Sequence, residues 1–482
     1  MKKLSLLAFI LGLANFINAQ IFNRIYAPVT QNGVALANPW AGGFNAPQWS
    51  AVDLNNDGVQ DLYAFDRNGD KHICFINEGG FGETKYRFAP EYAANFPNCK
   101  FYTLLRDYNR DGAMDLFACS LDEGVAGLKV YKGSYQNNVL VFERLSFPWI
   151  FDVLLIEAGG MPTQLPINAG DYPAIDDIDG DGDLDVLSLG ITGSKVYFYR
   201  NMALEMGFTD DELIFKQEDD CWGGFYIPAF AQSMLLSPSP TECVFFQNPD
   251  EEVDDRGGVH GGATVCTLDE DNDGDKEILY GDLIYPHIIR GKNCGTSQDA
   301  WICEQDTMYP IYDTPTDITD FPAAFNLDID NDGLKDLVTS PNIPQGGFDE
   351  DVVWFYKNTQ SNEFPNFEYQ KDRFLQDEMI DLGTGANPVF VDYNADGLLD
   401  FVVGNESHYL PNFQKDSRLF LYKNVGTINE PAFELVDDDW LNFSQFVDAN
   451  AQPYAYAPTF GDVDGDGDLD LVVGERQGRL FY

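Results

Sequence analysis

The residues best placed to do chemistry in this chain are aspartates in a fixed pattern. The stretch Asp462-Val463-Asp464-Gly465-Asp466-Gly467-Asp468-Leu469-Asp470 puts acids at positions 1, 3, 5 and 9 and glycine at position 6. The pattern occurs seven times, starting also at Asp53, Asp107, Asp177, Asp269, Asp328 and Asp392. In an extended loop the side chains at 1, 3 and 5 converge on one point. Glycine permits the sharp turn, the carbonyl at 7 faces inward, and the acid at 9 closes the cage. Hard oxygen ligands of this kind suit Ca²⁺. An EF-hand is excluded, because position 12 carries no Glu (Ala64 and Val473 stand there) and strands, not helices, flank the loop.

The expected ligand sets take side chains at 1, 3, 5 and 9 and the carbonyl at 7. They are Asp53, Asn55, Asp57, Val59 and Asp61; Asp107, Asn109, Asp111, Ala113 and Asp115; and Asp177, Asp179, Asp181, Asp183 and Asp185. The fourth and fifth are Asp269, Asp271, Asp273, Asp275 and Glu277, and Asp328, Asp330, Asp332, Leu334 and Asp336. The last two are Asp392, Asn394, Asp396, Leu398 and Asp400, and Asp462, Asp464, Asp466, Asp468 and Asp470. Bare carboxylates packed so closely repel one another. An ion relieves that repulsion, so up to seven structural Ca²⁺ are expected.

The elements that hold these loops are short strands. Apolar, β-branched and aromatic runs follow every motif and precede most of them, such as Trp49–Val52 and Leu62–Phe65 around the first. Each loop is therefore the turn of a β-hairpin. A third strand follows, as in Val196–Tyr199, Val352–Tyr356 and Arg418–Tyr422, with Asn201, Asn358 and Asn424 close behind. A fourth alternates polar and apolar residues, as in Phe367–Gln370 and Phe433–Val436, and reads as an outer strand with one wet face. Four antiparallel strands repeated seven times predict an all-β, seven-bladed β-propeller over residues 20–482. The last unit stops after its third strand, Gly478–Tyr482, so the N-terminal run Ile21–Tyr26 is expected to complete the seventh blade.

Composition narrows the function classes. The formal net charge is -50, and the ligand acids of the loops supply half of it. That balance argues against nucleic acid or an anionic membrane as partner. Residues 1–19 read as a secretory signal: Lys2 and Lys3, an apolar run from Leu4 to Leu13, then Asn18-Ala19-Gln20. No segment is long and apolar enough to insert in a membrane. The protein is expected to be secreted or displayed at the cell surface, and a sorting or anchoring tail beyond Tyr482 would suit that location. Of the eight cysteines, Cys221 with Cys243 and Cys294 with Cys303 are the expected disulfides; Cys74, Cys119 and Cys266 fall in strands and read equally as buried thiols.

Catalytic residues are not legible. The four histidines, His72, His260, His287 and His408, share no spacing, and 79 acids make any chosen pair uninformative. Long connections at 147–172, 219–262 and 436–458 are expected on the face opposite the acidic loops. Trp149, Trp222, Tyr226 and Trp440 lie in them. They read either as packing or as a platform for a sugar or a protein segment.

With seven copies of Asp-x-[Asp/Asn]-x-Asp-Gly-x-x-[Asp/Glu], each running into an apolar strand and often a glycine such as Gly404 or Gly474, the chain resembles the FG-GAP/VCBS repeat family, the calcium-loop propellers of integrin-α type. Asn55, Asn109 and Asn394 depart from Asp at position 3, and Glu277 from Asp at position 9. The resemblance implies a seven-bladed propeller, structural Ca²⁺, and ligand binding on the face away from the calcium turns. It leads to a binding or adhesion module for an extracellular glycan or protein. The alternatives are an extracellular carbohydrate-active enzyme (a polysaccharide lyase or hydrolase) and a scaffold within a larger surface protein.

Overall fold

The computed structural model describes residues 26–148, 151–158, 161–190, 193–209, 211–228, 232–244, 262–319, 321–343, 347–410, 414–447 and 454–482. The signal segment 1–19, the run 21–25 and Trp149 lie outside them.

Each motif is the turn between the first two strands of an antiparallel sheet, as its flanking runs require. The first sheet is Pro47–Val52, Asp61–Asp66, Lys71–Asn77 and Tyr86–Phe88 in that order. The second is Thr103–Arg106, Asp115–Cys119, Leu128–Gln136 and Val139–Arg144. The third is Ala174–Asp176, Asp185–Leu189, Val196–Asn201 and Phe215–Asp219. The fourth runs Ala263–Leu268, Glu277–Asp282, Ile288–Asn293 and Ile302–Tyr309. The fifth runs Pro322–Leu327, Asp336–Pro341, Trp354–Asn358 and Phe367–Lys371. The sixth is Asn387–Val391, Asp400–Gly404, Leu419–Asn424 and Phe433–Asp437. The seventh has three strands among the described residues: Ala457–Gly461, Asp470–Gly474 and Leu480–Phe481.

Among the described residues the seven sheets do not share one ring. The first strands of sheets one and two pack side by side, as do those of three and four, and of four and five. Sheets two and three are joined by Arg106 Nε donating to Ile175 O at 2.9 Å and by the Tyr102 and Tyr172 rings. The fifth sheet then returns to the first. Ser340 Oγ donates to Pro47 O at 2.6 Å, Gln48 Nε2 to Asn342 Oδ1 at 2.9 Å, and Arg67 Nη1 to Asn342 O at 2.6 Å. All of these groups are buried. A large apolar cluster that includes Trp49, Tyr102, Tyr172 and Phe325 draws on sheets one, two, three and five.

Sheets six and seven stand outside this five-sheet ring and pack on each other through their first strands. Burial tells the two groups apart. The first strand of sheet five is buried at all but one position, whereas Phe390 in the first strand of sheet six is 60% exposed. The expected seven-bladed ring is not seen among the described residues: recurrence of the motif counts sheets but does not encode where a ring closes.

The N-terminal expectation changes as well. Most of the run proposed to complete the seventh sheet lies outside the described residues. The first described strand, Val29–Gln31, instead runs parallel to the outer strand of sheet six, with Phe433 N donating to Pro28 O at 2.8 Å. A parallel addition of the same kind widens sheet three, where Leu155–Ala158 lies beside Phe215–Asp219. Both expected disulfides form, Cys221 with Cys243 and Cys294 with Cys303. Cys74, Cys99 and Cys119 are buried thiols, and Cys266 is half-buried.

Candidate metal centres in the acidic loops

The loops share one backbone design. Position 4 has positive φ in all seven: Asn56, Arg110, Gly180, Asn272, Asn331, Ala395 and Gly465. The glycine at position 6 does too, from 83° at Gly333 to 104° at Gly182. Two left-handed residues in a short loop turn the carboxylates inward. The N–H at position 7 donates to the carboxylate at position 5 in every copy, for example Val59 N to Asp57 Oδ1 at 2.8 Å. The glycine N–H at position 6 reaches the acid at position 1 in six of them.

The acid at position 9 is a structural hub. One oxygen accepts the N–H of loop position 2, as Asp336 does from Ile329 at 3.0 Å. In the first six sheets the other oxygen accepts the N–H of the residue that ends the third strand or stands near its end. These donors are Asn77, Gly133, Asn201, Asn293, Asn358 and Asn424. Asn77, Asn358 and Asn424 send their side-chain amide back to the carbonyl at position 8. The Asn noted after the third strands thus locks the calcium-type hairpin to its neighbour. In the seventh sheet Tyr482 Oη donates to Asp470 at 3.2 Å.

Burial and charge crowd these acids. Desolvation raises Asp61 to about 6, Asp115 and Asp336 to about 7, Glu277 to about 8 and Asp185 to about 9. The two backbone donors oppose the rise, and neighbouring loop acids add to it.

The residues fit a hard cation. One carboxylate oxygen from each of Asp269, Asp271 and Asp273 lies within 4.8 Å of the others, and the same holds for Asp328, Asp330 and Asp332, for Asp177, Asp179 and Asp185, and for Asp462, Asp464 and Asp470. Buried oxygens of Asp183, Asp269, Asp271, Asp275 and Asp328 have no hydrogen-bond donor. Such orphaned acceptors are costly in a folded protein unless a cation meets them. In loops one and two the Asn at position 3 instead turns its amide to position 5, Asn55 to Asp57 at 2.9 Å and Asn109 to Asp111 at 3.1 Å.

Sequence reading missed one part of the loops. A basic residue one place before the end of the third strand, or near it, leans over the acids. Lys132 lies 3.7 Å from Asp111, Arg200 2.7 Å from Asp179, Lys292 3.1 Å from Asp271, and Lys423 3.7 Å from Asp396. Lys357 contacts Asp330 and lies 3.1 Å from Asp332. Sheet one carries Ile76 at this place. The signal was present as Lys-Asn, Arg-Asn or Lys-Gly in the third strand after the motif.

The expected ligand aromatics are not brought together. Trp222 is 3% exposed and packs inside with Phe225, Ile227 and Met234, so it offers no face to a ligand; this corrects the platform reading for that residue. Its loop is pinned inward by the Cys221–Cys243 disulfide. Trp440 is half-buried against Phe460, and Tyr226 is half-buried beside Leu235. A different cluster forms near sheets six and seven, where Lys415 lies over the rings of Tyr409 and Tyr454 at 4.4 and 4.5 Å and Arg476 lies over Tyr454.

No helix among the described residues is long and apolar enough to cross a membrane. No curated protein matches the chain. Among solved structures, similarity is found to the TcdB2–TccC3–Cdc42 complex, at 12% identity and TM-score 0.28 over 79% of this chain and 19% of that one. The Tc holotoxin pore of Photorhabdus luminescens with a TccC3 mutation is similar at 12% identity and TM-score 0.27, over 90% and 17%. TcdB2–TccC3 is similar at 13% and 0.28, over 79% and 20%. The chain spans a fifth or less of each of those chains. Residues 392–473, from the first acid of the sixth loop to the strand after the seventh, match the FG-GAP-like repeat family.

Proposed function

We propose that this protein is a calcium-stabilised, propeller-like binding module of the cell exterior, with Ca²⁺ held in up to seven of the acidic loops. The observation that carries the reading is the convergence of carboxylates at positions 1, 3 and 5 in loops four and five, and at 1, 3 and 9 in loops three and seven, together with buried, donorless oxygens in loops three, four and five. The side chains at 1, 3, 5 and 9 and the carbonyl at 7 would hold the ion. The ion would supply positive charge where the chain has crowded negative charge, and so fix the hairpins that carry the rest of the fold. Two disulfides and the FG-GAP repeat fit an extracellular setting. The apparent signal at residues 1–19 supports export. The ligand class remains a glycan or a protein segment, and the long connections, with Tyr226 and Trp440 still half-exposed, are where recognition is proposed.

The test is calcium bound per chain after dialysis against micromolar to millimolar Ca²⁺. Saturable uptake of several ions, lost loop by loop on Asp271→Asn and Asp330→Asn, supports the reading. No uptake above a charge-matched protein without the motif defeats it.

A further inference from the structure

The centre of the five-sheet ring holds a cavity of about 400 Å³ lined by residues of all five first strands, and a second of about 200 Å³ shares several of its lining residues. Their position follows from the repeat. The lining residues nearest solvent are those just before each loop and at loop position 8. In most of the chain such sites near the loops are acidic or neutral. Here three cations converge: Arg106 just before the second loop, Lys276 at position 8 of the fourth, and Lys335 at position 8 of the fifth.

Most cations of this acidic protein are spent on carboxylates, but two of these three are not. Lys276 pairs with Asp176 at 3.1 Å. Asp176 is also occupied by the hydroxyl of Thr267 at 2.9 Å and the N–H of Asp177 at 2.9 Å. Arg106 donates only to the carbonyls of Ile175 and Leu105. Lys335 is exposed, and among the described residues neither it nor Arg106 has a carboxylate within ion-pair distance. Besides Asp176, the acids lining the two cavities are Asp107, Asp269 and Asp328, each position 1 of its loop. If those loops hold calcium as proposed above, each ion offsets two negative charges of its loop and draws the position 1 carboxylate to itself, which leaves Arg106 and Lys335 as the cations at the mouth not paired with a carboxylate among the described residues.

We infer that the mouth of this ring is a binding site for an oxyanion, the carboxylate or sulfate of a small ligand such as an acidic monosaccharide. Arg106 and Lys335 would make charge-assisted hydrogen bonds to the anion. The low-dielectric wall of first-strand residues beneath would strengthen them. A cavity of this size is within the range of small-molecule sites. The site lies on the face of the acidic loops, so it is separate from the long connections.

The experiment titrates the full chain with D-glucuronate, glucose 6-sulfate and glucose, each in millimolar calcium and in EDTA, with calcium uptake measured on the same samples. Saturable binding of one or both anions, with glucose silent, is expected. The two anions report separately whether carboxylate or sulfate is preferred. Lys335→Gln removes an exposed ammonium that makes no hydrogen bond among the described residues, and should weaken binding about tenfold without loss of fold. Arg106→Gln should weaken binding as well, but it also removes the bond from Arg106 to Ile175 O that joins sheets two and three, so its melting temperature is measured alongside and Lys335→Gln is the cleaner variant. Tighter binding in calcium than in EDTA is expected from the neutralised loops. Equal binding in both media with no calcium uptake would defeat the calcium reading and leave the anion site standing. No saturable anion binding in either medium, binding of glucose as strong as of the anions, or full affinity in both variants would overturn the site.

Discussion

At the scale of single residues, the loop at Asp392 shows how much a backbone constraint hides behind a motif of acids. Ala395 occupies position 4 with φ of 58°, a conformation that alanine adopts at a cost of about 1 kcal/mol. Five other copies place Asn or Gly there. Ala395→Gly should therefore stabilise the chain by up to about 1 kcal/mol, read as a shift of the denaturation midpoint; an unchanged or lower midpoint would show that the strain is not there. The acid at position 9 predicts the opposite sign. Asp336→Ala leaves the buried N–H groups of Ile329 and Asn358 without an acceptor and should destabilise by about 2–4 kcal/mol even in EDTA. The acids were legible in the sequence because ligands need a fixed spacing. The third-strand lysines and the hub role of position 9 were not, because each depends on which strand lies beside the loop.

At the scale of the element, each hairpin carries its own electrostatic problem. Five of the position 9 carboxyls, Asp61, Asp115, Asp185, Glu277 and Asp336, are raised to between about 6 and about 9 in the folded chain, against about 4 when unfolded. A raised folded value means stability is full below the ordinary carboxylate range and is lost as pH rises through 6 to 9. Metal-free protein should accordingly melt higher at pH 5 than at pH 8, and saturating calcium should flatten or reverse that trend. A chelated protein that melts higher at pH 8 would contradict the shifts. The third-strand cations act in the same place. Lys357→Met removes a charge that competes with a metal at Asp330 and Asp332, so calcium should bind the fifth loop several-fold tighter, seen as a lower midpoint in calcium titration. Strand order within each sheet was readable from alternation and turn residues. The parallel additions at Val29–Gln31 and Leu155–Ala158 were not, since they join sheet edges far away in sequence.

For the whole molecule, the ring closes after five sheets because sheet five meets sheet one through buried polar contacts that no local pattern announces. Gln48, Arg67, Ser340 and Asn342 look like ordinary strand and turn residues in the sequence. The arrangement predicts uneven protection. Amides of Pro322–Leu327 and Asp336–Pro341, buried in the ring, should exchange more slowly than those of Ala457–Gly461 and Asp470–Gly474 at its outside. Equal protection would argue for one continuous ring. The claim on which the rest depends is that metal, not side-chain packing alone, holds the hairpins. At a calcium concentration about ten times the dissociation constant, each occupied loop would add roughly 1.4 kcal/mol. Several loops together would rival the stability of a domain. The direct measurement is the melting temperature at pH 7.5 in millimolar calcium, in excess EDTA, and after calcium is restored. The account predicts a large fall in EDTA that is recovered on restoring calcium and not on adding magnesium at the same concentration. The same melting temperature in all three samples would contradict it.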